Sequence, residues 1–434
     1  MRFCLAFWEE MLYNIGKKSI KAAKALGGNG MNDLLGRLGM EEISPFFDEC
    51  YEKAKKETGC PVWLTPEFLR EATKEQPYFG EELEELIAAI DAVKENPDLV
   101  LFARTLYHML APRVHHESIF GGLAFPTAPE GADTLPYDIF AFYPLFAHIR
   151  EAYRELSARG IDREILAETA KNVGGCIGSS RRSLGRFGFT KLYFLWCTGH
   201  KNGALFRIGR FSFEVRENID LGVYAFENDK GETKILMSSG HKVHTGGLLL
   251  GSAGTAGDAA FVTEYRETDT AYIGSPVTDG GLHVGKEEIS LRKAEWTPLY
   301  RPGDNLISVH IPSEGSFDPK TVGSSLDEGK RYFKALYPEK NLRAYMCISW
   351  LLSPELVSVL KPESNILSFG NRYERFPVVS EALDVFHFIF HKSVTGITEE
   401  VIDSLTENNS LERGIKALYK NGGFIHESGG FIPF

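Results

Sequence analysis

Four side chains in the second half of the chain are of types that can move a proton or attack a carbonyl carbon: His310, Glu214, Cys347 and Ser349. His310 closes the apolar run Leu306-Ile307-Ser308-Val309 and is followed by Ile311-Pro312. Imidazole titrates near neutral pH, so a histidine at a strand end is a candidate general base. The competing reading is a histidine hydrogen-bonded in a packed strand end. Glu214 lies in Phe211-Ser212-Phe213-Glu214-Val215-Arg216, where it serves either as a base through water or as the ion-pair partner of Arg210 or Arg216 on the polar face of a sheet. Cys347 and Ser349 flank Ile348 and therefore share one face of an extended strand. They read either as a thiol nucleophile working with His310 beside a hydroxyl, or as a buried thiol and a hydroxyl satisfied by backbone.

His241-x-x-His244, His283 and the adjacent pair His115-His116 raise the question of a metal. Zinc requires three or four ligands at restrained spacing, two of them on one element. The segment around His241 is rich in glycine, has no assured helix and offers no clear carboxylate partner, so no metal is expected.

The elements that would position these groups divide the chain in two. Ser44-Pro45 and Thr65-Pro66 place a capping hydroxyl before a proline at a first helical position. Leu86, Ile87, Ile90 and Val93 recur at helical spacing, as do Ile139, Phe142, Phe146, Ile149 and Tyr153 over 138–156. The aromatic residues Phe140, Phe142, Tyr143 and Phe146 read as packing rather than as a cofactor pocket. Asp162 opens a further helix, which the pair Gly174-Gly175 is expected to stop. From about Lys191 the punctuation changes to period-two alternation, with strands expected at 211–216, 223–226, 235–237, 306–311, 344–350 and 385–390. The predicted fold class is therefore α+β, with a mainly helical domain over 1–190 and a mixed α/β domain over 191–434. The second domain carries a glycine-rich insertion at about 228–296, read as loops and short hairpins.

Within the second domain, 306–311 is a strand stopped by Pro312, 313–317 a short loop, and Asp318-Pro319 the start of a helix with Val322, Leu326, Phe333 and Leu336 on one stripe. The strand at 344–350 follows, and Ser353-Pro354 starts another short helix. A strand, helix and strand of this size form a right-handed parallel crossover, whose ligands collect at the carboxyl ends of the strands.

Composition narrows the partners. The formal charge of −11 over 434 residues, with 48 basic against 59 acidic side chains, gives no electrostatic reason to bind nucleic acid or an anionic membrane. Residues 1–30 show no signal-peptide core and no stretch of about 18 apolar residues suggests a membrane span. Six cysteines at wide spacing read as reduced thiols, which points to a cytoplasmic protein. Oligomeric state is not legible.

The segments 205–214, His310-Ile311-Pro312, Ser349-Trp350-Leu351-Leu352, Ser364-Asn365-Ile366 with Phe369, and Ser410-Leu411-Glu412-Arg413 occur in an order that resembles the bacterial acyltransferase domain-containing protein family. Leu135-Pro136-Tyr137 and Arg159-Gly160-Ile161-Asp162 extend the resemblance upstream. It implies an N-acyltransferase N-terminal domain followed by a GNAT-like C-terminal domain with a splayed central sheet. It also implies acetyl-CoA or another acyl-CoA as cosubstrate, with a small-molecule or peptide amine as acceptor. On that resemblance the pantetheine arm lies between two parting parallel strands beside Ile311, and backbone amides of the following loop, with Ser313, Gly315 and Ser316, hold the diphosphate; Trp350 reads as core or as a pocket wall. The family's diphosphate loop is Arg/Gln-x-x-Gly-x-Gly/Ala, whereas this chain reads Pro312-Ser313-Glu314-Gly315-Ser316-Phe317-Asp318, with one glycine and two carboxylates. A GNAT-like shell that recognises a metabolite or partner protein without turnover is the alternative.

Overall fold

The computed structural model describes residues 34–40, 47–112, 124–312, 315–392 and 394–434. These fall into two compact units that divide between Arg207 and Ile208. His115, His116 and the Ser44-Pro45 start signal lie outside the described residues.

The first unit is helical. Its elements are α1 (Phe47–Ala54), α2 (Pro66–Glu75), α3 (Glu82–Lys94), α4 (Pro97–Leu110), α5 (Leu135–Ile139), α6 (Phe142–Ala158), α7 (Arg163–Leu184) and α8 (Lys191–Lys201). Thr65 caps α2 by accepting the Phe68 amide, and Pro66 occupies the position where a missing N–H costs nothing. The single helix expected over 138–156 is instead α5 and α6, because the chain turns at Phe140 and Ala141. Phe140, Phe142, Tyr143 and Phe146 are all fully buried, as their spacing implies.

The glycine pair in α7 does not end the helix, which continues to Leu184. Gly174 is there for close approach: its amide donates to Tyr78 O at 3.1 Å, and a Cβ at that position would stand 2.6 Å from the same oxygen. Gly185, with φ of 69°, is the residue that stops the helix.

The second unit is built on a six-stranded sheet, ordered β1-β2-β6-β7-β9-β8. Here β1 is Leu205–Ile208, β2 Phe211–Arg216, β6 Leu306–His310, β7 Ala344–Ser349, β8 Glu374–Pro377 and β9 Ser428–Pro433. A second sheet of three strands joins β3 (Val223–Asn228), β4 (Thr233–Met237) and β5 (Trp296–Tyr300). Short antiparallel pairs fill the glycine-rich tract, such as 242–243 with 261–262 and 271–274 with 289–292.

The crossover from β6 to β7 runs through α9 (Pro319–Leu336), and β6 pairs with β7 in parallel. Val322, Leu326 and Phe333 form the buried stripe of α9, each contributing roughly 1.5–3 kcal/mol by leaving water. The Tyr345 hydroxyl of β7 donates to Leu326 O at 2.5 Å and fixes the helix to the sheet.

The apolar run at 385–390 is helical, not extended: α11 spans Asp384–Phe388, after α10 (Asn365–Gly370) and before α12 (Ser410–Lys420). Val385, Phe386 and Phe390 pack in one cluster with Leu356, Leu367 and Ile415. A short run with no residue exposed has no period to separate strand from helix. Among the described residues no helix is long and apolar enough to cross a membrane.

Candidate active site

The site begins with a mismatch in strand pairing. Every residue of β6 from Leu306 to His310 pairs with β2, antiparallel, and every residue of β7 from Ala344 to Ser349 pairs with β9. Between β6 and β7, however, the paired residues are only Ile307 with Tyr345 and Ser308 with Met346. Val309 and His310 on one strand, and Cys347 to Ser349 on the other, extend past that pairing. The two parallel strands therefore part at their carboxyl ends, where Pro312 has no N–H to give to a ladder.

Register fixes which side chains share a face. Ser308 stands opposite Glu214 and Met346, and His310 opposite Ser212, so Ser212, Glu214, Arg216, Ser308 and His310 line one face. His310 Nε2 lies 3.2 Å from Glu214 Oε2, and Arg216 Nη1 donates to the same oxygen at 3.2 Å. The three side chains are 15, 7 and 10% exposed, so this His-Glu-Arg chain is largely shielded from water while its histidine remains reachable. Two residues singled out separately in the sequence, His310 and Glu214, are thus in contact, and Arg216 is the arginine that Glu214 meets.

Cys347 and Ser349 belong to the opposite face, with Tyr345 and α9. The fold gives the Cys347 thiol no place beside His310. Cys347 is 2% exposed, and Ser349 Oγ accepts the Leu351 amide at 3.1 Å, capping the turn that follows. Trp350 packs into the apolar cluster around Leu356 and Val385. Ile311 is half-buried just beyond β6, and Ser313 lies outside the described residues. Gly315 and Ser316 are exposed, and the Ser316 hydroxyl donates to Asp318 Oδ2 at 2.7 Å.

Asp318 caps α9. Its Oδ1 accepts the amides of Lys320 and Thr321, each at 3.0 Å, and hydrogen bonds from Thr321 foremost hold the carboxyl well below the usual carboxylate range. The donors at this helix start are thus taken by the chain's own carboxylate.

The other histidines of interest stand apart from one another in use. His241 Nε2 contacts Ser238 Oγ at 3.0 Å, and burial lowers the tendency of His241 to protonate. His244 Nδ1 accepts the Gly246 amide at 3.3 Å, and His283 packs against Gly247.

A second polar cluster carries no spacing signal in the sequence. Glu427 is fully buried just before β9, and Ser428 of that strand pairs with Ser349 at the end of β7. The Ser380 hydroxyl donates to Glu427 Oε2, and the Asp384 amide donates to Oε1 at 3.2 Å. Burial, followed by the nearby Asp384 carboxylate, pushes the Glu427 carboxyl up to about 8. The neighbouring His426 faces Glu355 Oε1 at 2.9 Å through Nδ1 and Ala253 O at 2.9 Å through Nε2. Both ring nitrogens meet acceptors, so both carry protons. Burial opposes that charge, but the Glu355 carboxylate outweighs it and the imidazolium is favoured.

Residues 205–432 match the GNAT-like C-terminal domain family, and residues 41–203 match the N-acyltransferase N-terminal domain. Solved acyltransferase structures share the fold. One, a variant in complex with octanoyl-CoA, is 20% identical, with a TM-score of 0.59 over 93% of this chain and 99% of that one. A second, in complex with decanoyl-CoA and teicoplanin, is 20% identical, with a TM-score of 0.59 over 93 and 98%. A third, with decanoyl-CoA, is 17% identical at 0.58 over 93 and 99%. No curated protein sequence matches the chain.

Proposed function

The chain belongs to the family defined by the GNAT-like C-terminal domain, and from that premise we propose that it is an acyl-CoA-dependent N-acyltransferase acting on an amine of a small molecule or peptide. The observation that carries the reading is the parting of β6 and β7 after Ser308 and Met346, with His310 at the mouth. A slot between two strands accepts an extended arm whose amides can use the backbone groups that the strands no longer give each other. The acyltransferases of the same fold bound to octanoyl-CoA and decanoyl-CoA support this choice of donor. The one bound to teicoplanin supports a bulky natural product among the acceptors worth testing.

Aminolysis of a thioester forms a C–N bond, breaks a C–S bond and moves one proton from nitrogen to the departing sulfur. In this reading His310 donates its Nε2 proton to Glu214, which fixes the tautomer with the lone pair on Nδ1. Nδ1 takes the proton of the attacking amine, and the imidazolium so formed is stabilised by Glu214. Arg216 holds Glu214 in place from its other side. The proton then leaves with the thiol.

The direct test is calorimetric titration with acetyl-, octanoyl- and decanoyl-CoA, followed by thiol release over a panel of amines. Saturable binding of at least one thioester and amine-dependent thiol release are expected. Binding without thiol release to any amine would instead favour a ligand-recognising shell, and binding of none would sink the acyl-CoA reading.

A further inference from the structure

The end of the site that would hold the phosphates of CoA does not use the usual device. A helix start binds phosphate through its first amides, but at α9 Asp318 already accepts the amides of Lys320 and Thr321. An anion placed there would have to displace a carboxylate and then lie beside it.

Cationic side chains from two other elements converge on the same stretch. Arg210 sits in the turn between β1 and β2, and that turn is pinned to α9 by Ser325. The Ser325 hydroxyl donates to Ile208 O at 2.5 Å and accepts the Phe211 amide at 3.2 Å. The Arg210 guanidinium lies 5.0 Å from the centre of the Phe317 ring and 5.7 Å from that of Phe211. A Cβ on Gly315 would stand only 3.7 Å from its Cδ, so the arginine runs beside the exposed Gly315. From the other side Arg372 donates through Nη2 to Pro319 O at 3.1 Å, at the first residue of α9. The rings of Phe211, Phe317 and Phe369 pack on one another at 5.0 to 6.3 Å, which ties β2, Phe317 and α10 into one support for the Arg210 guanidinium. Two arginines are thus brought by separate elements to one glycine-containing stretch, where their charge offsets that of the carboxylates Glu314 and Asp318 in the sequence.

We propose that Arg210 and Arg372 hold the phosphates of the acyl-CoA, taking over the part that backbone amides at the start of the helix play elsewhere. The planar fork of arginine suits phosphate oxygens, and the aromatic cluster holds the Arg210 fork in one plane. This rests on the acyl-CoA reading above, and it explains how a loop with one glycine and an aspartate cap remains compatible with a polyanionic donor.

The test compares decanoyl-CoA with decanoyl-pantetheine, which keeps the thioester and lacks the phosphates. Wild-type protein should show a lower KM for the CoA thioester, with a preference that fades as salt is raised. Arg210→Gln and Arg372→Gln should each shrink the ratio of the two KM values, by roughly 10- to 100-fold where the guanidinium meets phosphate directly, and Arg210→Lys should restore part of it. Arg210 is buried, so each variant's melting curve is recorded; should Arg210→Gln fail to fold, the exposed Arg372→Gln carries the test alone. Variants that alter both KM values equally, or neither, overturn the proposal. Wild-type turnover of both thioesters without preference overturns it too while leaving acyl transfer standing, whereas turnover of neither would instead sink the acyl-transfer reading.

Discussion

Each unit of the molecule buries an arginine against a glutamate, and the two clusters differ in the groups that surround the carboxylate. In the helical unit Arg150 of α6 is 4% exposed and forks onto Glu75 of α2, with Nε to Oε2 at 3.0 Å and Nη2 to Oε1 at 2.5 Å. Arg154 repeats the fork on the same carboxylate from the solvent side. Glu75 is held down to about 2, by Arg150 first, with Arg154 adding to it against some loss of hydration. In the sheet unit Glu214 meets Arg216 on one side and His310 on the other, where β6 and β7 part. The proposed site and the strut differ in whether a partner of the carboxylate is a group that can exchange a proton with a ligand. Both forks onto Glu75 come from guanidinium groups, which cannot lose a proton near neutral pH, whereas Glu214 has an imidazole among its partners, a group that can.

The largest expected effect tests that distinction directly. His310→Ala should lower kcat for acyl transfer by about 10²–10⁴-fold, the usual contribution of general-base catalysis, while acyl-CoA affinity by titration stays close to wild type. Activity that survives the substitution would remove His310 from the mechanism and make its cluster another strut. Glu75→Ala is the mirror experiment. It leaves Arg150 buried with Glu71 as its remaining carboxylate at 3.4 Å, and we expect a stability loss of about 2 kcal/mol. That is below the usual cost of orphaning a buried charge, because solvent reaches Glu75. The sign with pH is fixed: a depressed carboxyl stabilises the fold above its ordinary value of 4.5, and the contribution is lost as pH falls toward about 2. Chemical denaturation at neutral and acid pH should therefore separate wild type from variant near neutrality and bring them together in acid.

The sequence carries one half of this comparison better than the other. The strand, proline, capped helix and strand from 306 to 349 are local patterns, and each appears where its residues place it. His310 and Glu214 stand out singly by residue type, but they are 96 positions apart and meet only through the antiparallel register of β2 on β6. The same limit explains Cys347. Period two states which residues of β7 share a face, and only the pairing of Ser308 with Met346 states which face that is. Gly174 looks like a helix stop because glycine serves both as a terminator and as a place of close contact, and the contact, Tyr78 O, is 96 positions upstream. His426 and Glu427 draw partners from positions 253, 355, 380 and 384, a set that no local spacing announces.

That last cluster offers a smaller effect and a third kind of buried carboxyl, one that keeps its proton. Folding raises Glu427 from an ordinary 4.5 to about 8, so the proton is bound more tightly in the folded chain. Its contribution is fully present below about 4.5 and is lost as pH rises through about 8. Glu427→Gln has no proton to lose, so its melting temperature should gain on that of wild type across this window and run parallel above it. His426 is raised as well and loses its contribution in the same direction, which leaves a residual alkaline decline in the variant. Parallel curves throughout would show that Glu427 titrates no differently in the folded chain, despite Asp384, Glu355 and Tyr419 around it.

The smallest effect is expected at Cys347, and it decides whether the two faces of the sheet are chemically separate. Cys347→Ala removes a thiol that is 2% exposed beside Tyr373, so the cost is a small cavity of about 1 kcal/mol or more in stability. Because the thiol and the His310 ring lie on opposite faces of strands already parting, no path through the sheet lets one deprotonate the other. The variant should keep the wild-type rate at saturating thioester, with neither a lag nor a burst of acyl-enzyme. A loss of rate approaching that of His310→Ala, with KM unmoved, would require the thiol to reach the slot. It would then be the register of β6 on β7, and with it the face assigned to every residue of the site, that has to be redrawn.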